Sequence, residues 1–155
     1  MGSKEKNKLS LASIKVVGVG GGGGNAISRM YDGFVKGVEF IAINTDAQDL
    51  NACVVKKRIY IGKNLTKGLG TGMNPELGRQ AAEENRSDIA ETLKGSDLVF
   101  ITAGLGGGTG SGASPIVAEV AKEGGALTIG VVTKPFAFEG SQRMKVAQEA
   151  LAKLR

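Results

Sequence analysis

Residues 98–115 constrain the fold of this chain more strongly than any other part of its sequence. An apolar run begins at Leu98 and ends at Gly104, where a glycine-rich segment starts. From Pro115 onward the apolar residues have helical spacing. This order predicts a strand, a glycine loop and a helix. Because glycine can adopt positive φ, successive backbone N–H groups of the loop can converge on one point at the positive end of the helix. The sequence therefore predicts a phosphate site.

The predicted phosphate loop differs from the lysine-containing P-loop. Its six glycines are Gly104, Gly106, Gly107, Gly108, Gly110 and Gly112. A flexible linker or a tight turn is the alternative, but neither requires so many glycines between ordered elements. The lysine of the P-loop motif is missing. Backbone dipoles, with or without Mg²⁺, must then neutralise the charge of a bound phosphate.

A second strand–glycine–helix unit stands near the start of the chain. Residues 14–19 form a short β-branched run, residues 20–24 are all glycine, and Ile27 and Met30 follow with helical spacing. The pattern predicts a strand, a glycine loop and a helix. Residues 18–23 also match the G-x-G-x-x-G dinucleotide fingerprint, but any run so rich in glycine matches it. That match alone is weak.

An amide and a carboxylate follow the second predicted strand, residues 38–43. Asn44 and Asp46 lie where such a sheet places groups that contact a ribose hydroxyl. Asp46 can instead hold Mg²⁺ through water, or cap a short helix that runs through Leu50. These roles are compatible, and Asp46 is our one candidate catalytic residue.

The loop of residues 62–74 is a third glycine-rich segment, after a short third strand at residues 58–61. A long structureless loop inside a compact domain usually has a function. Gly68, Gly70 and Gly72 would let its backbone approach a ligand closely. We predict a lid over the terminal phosphate, and a simple connection to the next helix is the alternative.

The remaining predicted elements complete an alternating pattern. A helix opens at Asn74 and Pro75 and ends at Gly95, with a break at Ser87 and Asp88. The others are a helix at residues 115–123, a fifth strand at residues 126–132 and a last helix from Glu139 to Leu154. The fifth strand is apolar nearly throughout, which is typical of a strand covered on both faces.

Alternating strands and helices predict an α/β fold, a Rossmann-like three-layer sandwich whose mainly parallel sheet has the order 3-2-1-4-5. Strands one and four are then neighbours, so both glycine loops open into one crevice. Two anion-binding loops suit a di- or triphosphate, and we predict mononucleotide binding. An NAD-type dinucleotide-binding domain of an oxidoreductase is the alternative. It requires an acidic residue about 20 residues beyond the first glycine, and Asp46 lies farther on.

The amino-acid composition argues against several other classes of function. The chain has no His, which excludes Ser-His-Asp and Cys-His catalysis and any zinc site built on imidazole. With two Tyr and no Trp, the basic residues lack a stacking platform, so nucleic acid is not an expected partner. The one cysteine, Cys53, cannot form an internal disulfide and fits a reducing compartment. No apolar run is long enough for membrane insertion, and we expect a soluble, cytoplasmic protein.

The length of 155 residues favours one domain with a single core. Residues 1–10 are polar and rich in Lys, and we expect them to form a disordered leader. Residues 11–155 would then form a nucleotide-binding domain.

Several motifs occur in an order that resembles the tubulin/FtsZ family of GTPases over about residues 11–155. They are GLGGGTGSG at residues 104–112, GGGGGN at 20–25, NTD at 44–46, GLGTG at 68–72, NP at 74–75 and PFAFEG at 135–140. The chain is similar to the nucleotide-binding half of the bacterial cell-division members. The resemblance implies a cytoplasmic GTPase that polymerises head to tail into the division ring. Ser111 is also similar to plastid members, which leaves the chloroplast stroma as an alternative.

The resemblance also implies roles for residues at matching positions. Gly20, Gly21, Gly22 and Asn25 would line the diphosphate and base side, Asn44 would contact the ribose, and Asp46 would act near Mg²⁺ and water. Gly72 would sense the γ-phosphate, and Thr133, Glu139 and Arg143 would close on the sugar. The phosphates of GTP or GDP would bind to Gly104, Gly106, Gly107, Gly108, Thr109 and Gly110. No residue is implied as a direct metal ligand.

Two departures and one missing part qualify the resemblance. Gly24 stands where the family commonly has Asn, so we expect the first glycine loop to lack a side-chain amide. Met73 replaces a usually small residue, so we expect crowding beside the loop predicted to contact the γ-phosphate. The family's sixth strand, its guanine-reading central helix and the loop that supplies catalytic acids to the next subunit would follow Arg155. We therefore expect residues 1–155 to bind guanine nucleotides about 10²- to 10³-fold more weakly than an intact chain. We also expect them neither to hydrolyse GTP appreciably nor to form filaments alone.

Overall fold

A computed structural model describes residues 12–32 and 37–155. The predicted leader lies outside the described residues. Five parallel strands form one sheet in the order β3-β2-β1-β4-β5, which confirms the predicted fold class and strand order. The strands are β1 (Ile14–Val19), β2 (Val38–Asn44), β3 (Lys57–Tyr60), β4 (Leu98–Gly104) and β5 (Leu127–Thr133).

Seven helices lie on the two faces of the sheet in the described residues; six of them connect strands, and α7 follows β5. They are α1 (Gly20–Asp32), α2 (Ala47–Ala52), α3 (Lys63–Thr66), α4 (Pro75–Glu84), α5 (Arg86–Leu93), α6 (Thr109–Glu123) and α7 (Ser141–Leu154), with a 3₁₀ turn at Ala137–Glu139 before α7. In the described part of the chain, no helix has the length and apolar character needed to cross a membrane.

The alternation of side chains along the central strands produces two cores. Val99, Ile101 and Ala103 of β4 face the larger core, which also contains apolar side chains of α4–α7. Ile27 of α1 and Phe40 of β2 belong to the smaller core on the opposite face. The result is a three-layer sandwich in which the carboxyl ends of the strands form one open edge.

Several helix boundaries differ from the sequence prediction, and the last helix, α7, begins at Ser141 rather than at Glu139. The glycines expected to form a loop before the first helix are instead its first turn, because α1 begins at Gly20. Helix α6 begins at Thr109 rather than at Pro115. The helix after Pro75 is divided at Asn85, not at Ser87 and Asp88, because the Asn85 side chain accepts from the Gly62 N–H at 2.9 Å and donates to Asp88 Oδ2 at 2.9 Å.

The loop of residues 62–74 is also less irregular than predicted, because α3 forms within it. Gly62 precedes this short helix in the left-handed region, with φ of 65°. The part of the loop without helix, residues 67–74, is called the lid loop below.

Strand β5 is more exposed than the sequence predicts. Leu127 and Val131 are 66 % and 58 % exposed, although the strand was expected to be covered on both faces. They share the face of α1 and α2, because Leu127 pairs with Leu98 of β4 and that residue points away from the larger core. No helix of the described residues covers this part of the sheet, so an apolar composition here does not correspond to burial.

Candidate functional site

A cavity of about 990 Å³ opens at the carboxyl ends of β1, β2, β4 and β5. Its walls come from both glycine-rich turns, the end of β2, the lid loop and the segment between β5 and α7. The predicted site residues that line it are Gly20, Gly21, Gly22, Asn44, Asp46, Gly72, Gly104, Gly107, Gly108, Thr109, Gly110, Thr133, Glu139 and Arg143. This is the size of a nucleotide-binding pocket, at the position where open α/β sheets bind ligands.

Two predicted site residues lie elsewhere. Asn25 lines a smaller neighbouring cavity of about 180 Å³, whose walls share Gly20, Gly21 and Asn44 with the large one. Gly106 is turned away from the large cavity, and a Cβ placed on it would lie 3.2 Å from the backbone O of Arg143. Gly106 therefore packs against the backbone of α7 and does not line the cavity.

The N-termini of α1 and α6 lie side by side at one wall of this cavity. A Cβ built on Gly20 would lie 3.0 Å from the Gly110 N, and one built on Gly22 would lie 3.5 Å from the Gly104 N. Neither helix has an acidic residue in its first turn, and no side chain caps α6 at Gly108. Both positive helix ends thus keep N–H groups that can donate to an anion.

Half of the six glycines in residues 104–112 serve a purpose that the sequence did not indicate. We expected several of them to adopt positive φ, but only Gly106 does, with φ of 113°. Gly108, Gly110 and Gly112 allow close packing instead, whereas a Cβ on Gly107 would meet no atom within 4 Å and one on Gly104 would make only ordinary contacts. A Cβ on Gly108 would overlap the Thr71 hydroxyl, one on Gly112 would overlap the Pro75 carbonyl O, and one on Gly110 would lie 2.5 Å from the Gly104 O.

The side chains of Asn44 and Asp46 accept hydrogen bonds from backbone N–H groups of the residues that follow them. Asn44 Oδ1 accepts from the N–H groups of Thr45 and Asp46, at 2.8 and 3.2 Å. Asp46 Oδ1 accepts from the N–H groups of Gln48 and Asp49, at 2.9 and 3.1 Å, and so caps α2. The other Asp46 oxygen, Oδ2, lies toward Gly70 of the lid loop. The capping role is therefore present, and only Oδ2 is left for a ligand.

The lid loop is tied to three parts of the site. The Ala47 N–H donates to the Gly68 carbonyl at 3.2 Å. Thr71 Oγ1 lies 3.4 Å from Thr109 Oγ1, at the start of α6. Met73 Sδ accepts from Arg143 Nη2 at 3.3 Å, which links the loop to α7. Met73 lines the cavity and is 49 % exposed, so it narrows the mouth rather than the interior.

Charged side chains do not make this cavity positive. Glu139 accepts from the Phe136 N–H at 2.6 Å and pairs with Arg143 at 3.5 Å. The charged residues in the lining are Asp46, Asp49, Glu139, Lys134 and Arg143. Because carboxylates outnumber cations, attraction for a phosphate must come mainly from the two helix N-termini.

Sequence reasoning missed four polar residues of the cavity. Thr45, Thr71, Asp49 and Lys134 all line it. Thr45 is fully buried, and its hydroxyl lies 2.7 Å from that of Thr109. Thr45 could have been found, since it lies between two residues already predicted, Asn44 and Asp46. The position of Asp49 depends on the direction of α2, which no local pattern specifies.

A parallel sheet with two helix N-termini at one crevice defines an α/β protein of the mononucleotide-binding class. Within this class, the sequence model of the Tubulin/FtsZ family, GTPase domain, matches residues 13–155, and the chain belongs to that family. This membership replaces the NAD-type alternative.

Solved structures of the same family superpose closely. An empty FtsZ dimer of M. jannaschii is 50 % identical, with a TM-score of 0.93, over 99 % of this chain and 45 % of that one. CetZ2 of Haloferax volcanii, a protofilament with GTPγS bound, is 28 % identical, with a TM-score of 0.79, over 92 % of this chain and 46 % of that one. CetZ of Methanosaeta thermophila is 30 % identical, with a TM-score of 0.76, over 92 % and 42 %. The chain thus spans about half the length of these relatives.

Proposed function

We propose that residues 11–155 form the GTP- and GDP-binding domain of a tubulin-like GTPase that assembles head to tail and acts in cell division. The observation that carries the proposal is the pair of helix N-termini, at Gly20 and Thr109, that face one cavity from adjacent strands. Two anion sites so close together match a pyrophosphate better than a single phosphate.

In this proposal the two glycine-rich turns bind the phosphates through backbone N–H groups, with Thr109 adding a hydroxyl. Asn44 contacts the ribose, and Thr133, Glu139 and Arg143 close on the sugar from the opposite wall. Asn25 lies in the smaller neighbouring cavity, which suits the base side of the nucleotide. Gly72 of the lid loop senses the γ-phosphate.

Magnesium fits this site only together with phosphate oxygens. The described residues contain no group of three metal-binding side chains. Mg²⁺ usually takes one or two carboxylates, water and substrate phosphates, and Asp46 Oδ2 is the oxygen that would contribute. The ion would supply charge neutralisation at the terminal phosphates.

Hydrolysis by this chain alone should be very slow. Glu139 is held by the Phe136 N–H and by Arg143, and one Asp46 oxygen is used in the cap of α2. Of the three carboxylates in the described lining, only Asp49 accepts no hydrogen bond within the described residues, and it lies beside Gly21. Asp46 and Glu139 are therefore poor candidates for a strong general base. We propose that a neighbouring subunit completes the catalytic site.

The rim of the cavity supports assembly over its mouth. Leu69, Phe136 and Phe138 are 85 %, 69 % and 86 % exposed, and the two Phe rings stack with centroids 5.4 Å apart. Leu69 and Phe136 line the cavity, and exposed apolar side chains at such a place are typical of an interaction surface. They support the head-to-tail contact of the proposed polymer, at a cytoplasmic division site.

Calorimetric titration of the chain with GDP and with ADP tests the nucleotide assignment. We expect GDP to bind, and Thr109→Val to weaken its binding about tenfold, as expected for loss of one hydrogen bond to a charged group. Thr128→Val is the matched control, because Thr128 bonds only locally to the Ala126 carbonyl, at 3.2 Å, in β5. Absence of GDP binding, or equal effects of the two variants, would contradict the assignment.

A phosphate-release assay tests the proposed dependence on another subunit. The chain alone should release little phosphate from GTP at any concentration. Turnover that rises with its own concentration would show that these residues suffice for the reaction.

A further inference from the structure

Three threonine hydroxyls form a row between the core of the sheet and the lid loop. Thr45 Oγ1 lies 2.7 Å from Thr109 Oγ1, and Thr109 Oγ1 lies 3.4 Å from Thr71 Oγ1. Thr45 has no exposed surface, whereas Thr109 lines the cavity as the first residue of α6. Thr109 is thus the member in the middle, between a buried hydroxyl and a loop.

Geometry allows either hydroxyl of each pair to donate, and burial selects the direction for the pair Thr45 and Thr109. Each hydroxyl carries one proton, and a buried proton without an acceptor costs free energy. Within the described ranges, Thr109 is the only hydrogen-bond partner of the Thr45 hydroxyl, so Thr45 donates to Thr109. The proton of Thr109 is then left for an acceptor on the cavity side, which is Thr71 or a ligand oxygen. Thr71 can accept it because Thr71 lines the cavity, where its own proton can be donated to solvent, whereas Thr45 has no such outlet.

We propose that Thr45 is a positioning residue, which fixes the Thr109 hydroxyl as a donor aimed at a bound phosphate. Without phosphate, the Thr109 hydroxyl donates to Thr71; when phosphate binds, it donates to a phosphate oxygen instead. The bond to Thr71 is long at 3.4 Å, and a phosphate oxygen accepts a stronger, charge-assisted bond. Phosphate binding would therefore release one of the contacts that tie the lid loop to α6. The inference rests on the proposed nucleotide site.

Four variants separate this role from a structural one. Thr45→Val keeps the side-chain shape and removes the donor, and Thr45→Ser restores a hydroxyl. Thr71→Val removes the competing acceptor. Thr66→Val is the matched control, because the Thr66 hydroxyl is also buried and donates to the Thr45 carbonyl at 3.3 Å, but it does not reach Thr109.

Titration of the full chain with inorganic pyrophosphate and with GDP gives opposite signs for the two key variants. We expect Thr45→Val to weaken binding of both ligands about fivefold, as loss of an oriented hydrogen bond predicts. Thr45→Ser and Thr66→Val should leave the dissociation constants of both ligands unchanged. Thr71→Val should tighten binding about twofold, because no internal bond is given up.

Equal affinities of Thr45→Val and Thr66→Val would overturn the inference and leave the proposed function intact. Failure of the unaltered chain to bind either ligand would overturn both. If Thr45→Val does not fold in a thermal unfolding measurement, Thr71→Val decides alone. Tighter binding by that variant supports the exchange of acceptors, and unchanged or weaker binding contradicts it.

Discussion

The β1–α1 and β4–α6 turns place helix N-termini at the same cavity, but they use glycine for different reasons. The first turn passes directly from Val19 into the helix through Gly20, whose φ is 77°. Close backbone approach there is concentrated at Gly18 and Gly23, whose hydrogens face each other's backbone. The turn itself carries no side chain beyond hydrogen.

The β4–α6 turn is built into the packing of two helices. Gly78, Gly108 and Gly112 allow α4 and α6 to approach with their backbones in contact. Ser111 Oγ also accepts from the Gly106 N–H at 2.8 Å and so holds the turn from inside. We therefore expect substitutions at the packed glycines of the second turn, Gly108 and Gly112, mainly to affect folding, and substitutions at the start of the first turn mainly to affect binding.

The largest expected effect is that of Gly112→Ala. The new Cβ would overlap the Pro75 carbonyl, so α4 and α6 must separate. We expect a loss of about 3 kcal/mol or more in the free energy of unfolding, as for severe overpacking. Urea denaturation measures it. Gly107→Ala is the control, because a Cβ there meets no atom within 4 Å, and its stability should change by less than about 0.5 kcal/mol. Similar losses in both variants would mean that contact with α4 does not decide the effect of a substitution in this turn.

Gly20→Ala should have a smaller effect on stability and a clear effect on binding. A side chain at φ of 77° is strained, which costs about 1–2 kcal/mol. Its Cβ would also lie 3.0 Å from the Gly110 N, where a phosphate is proposed to bind. Denaturation and GDP titration of the same sample compare the two losses. A variant that loses stability but binds GDP normally would place the phosphate elsewhere.

The smallest expected effect has the opposite sign. Gly24 lies within α1, and a Cβ on it would meet no atom within 4 Å. Ala is favoured over Gly inside a helix by about 0.5–1 kcal/mol, so Gly24→Ala should raise the free energy of unfolding by that amount. Thermal unfolding checks this prediction. A destabilised variant would mean that the run of glycines is needed along its whole length.

The strand order and the shared crevice could be predicted because they depend on alternation and chain direction. Residues 14–19 and 98–103 read as buried strands, and a parallel sheet with right-handed connections leaves few other arrangements. The purpose of Gly108 and Gly112 could not be predicted, because it depends on their contact with the start of α4 and the residues before it, which are distant in sequence. A glycine that admits a neighbouring backbone looks the same in a sequence as one that adopts positive φ.

The exposure of β5 was mispredicted for a related reason. Apolar composition shows what a strand can bury, whereas its burial depends on what packs against it. The hydroxyl row of Thr45, Thr109 and Thr71 joins three segments that are separated in sequence. Only the assembled fold brings these groups together.

We expect the open edge of β5 to make the stability of this chain depend on protein concentration. Within the described residues β5 pairs only with β4, so its outer row of N–H and C=O groups can accept another strand. By mass action, any such partner, including a second copy, raises the melting temperature as its concentration rises. Stability measured at micromolar and at much higher protein concentration should therefore differ, and the gap reports how much one added strand contributes.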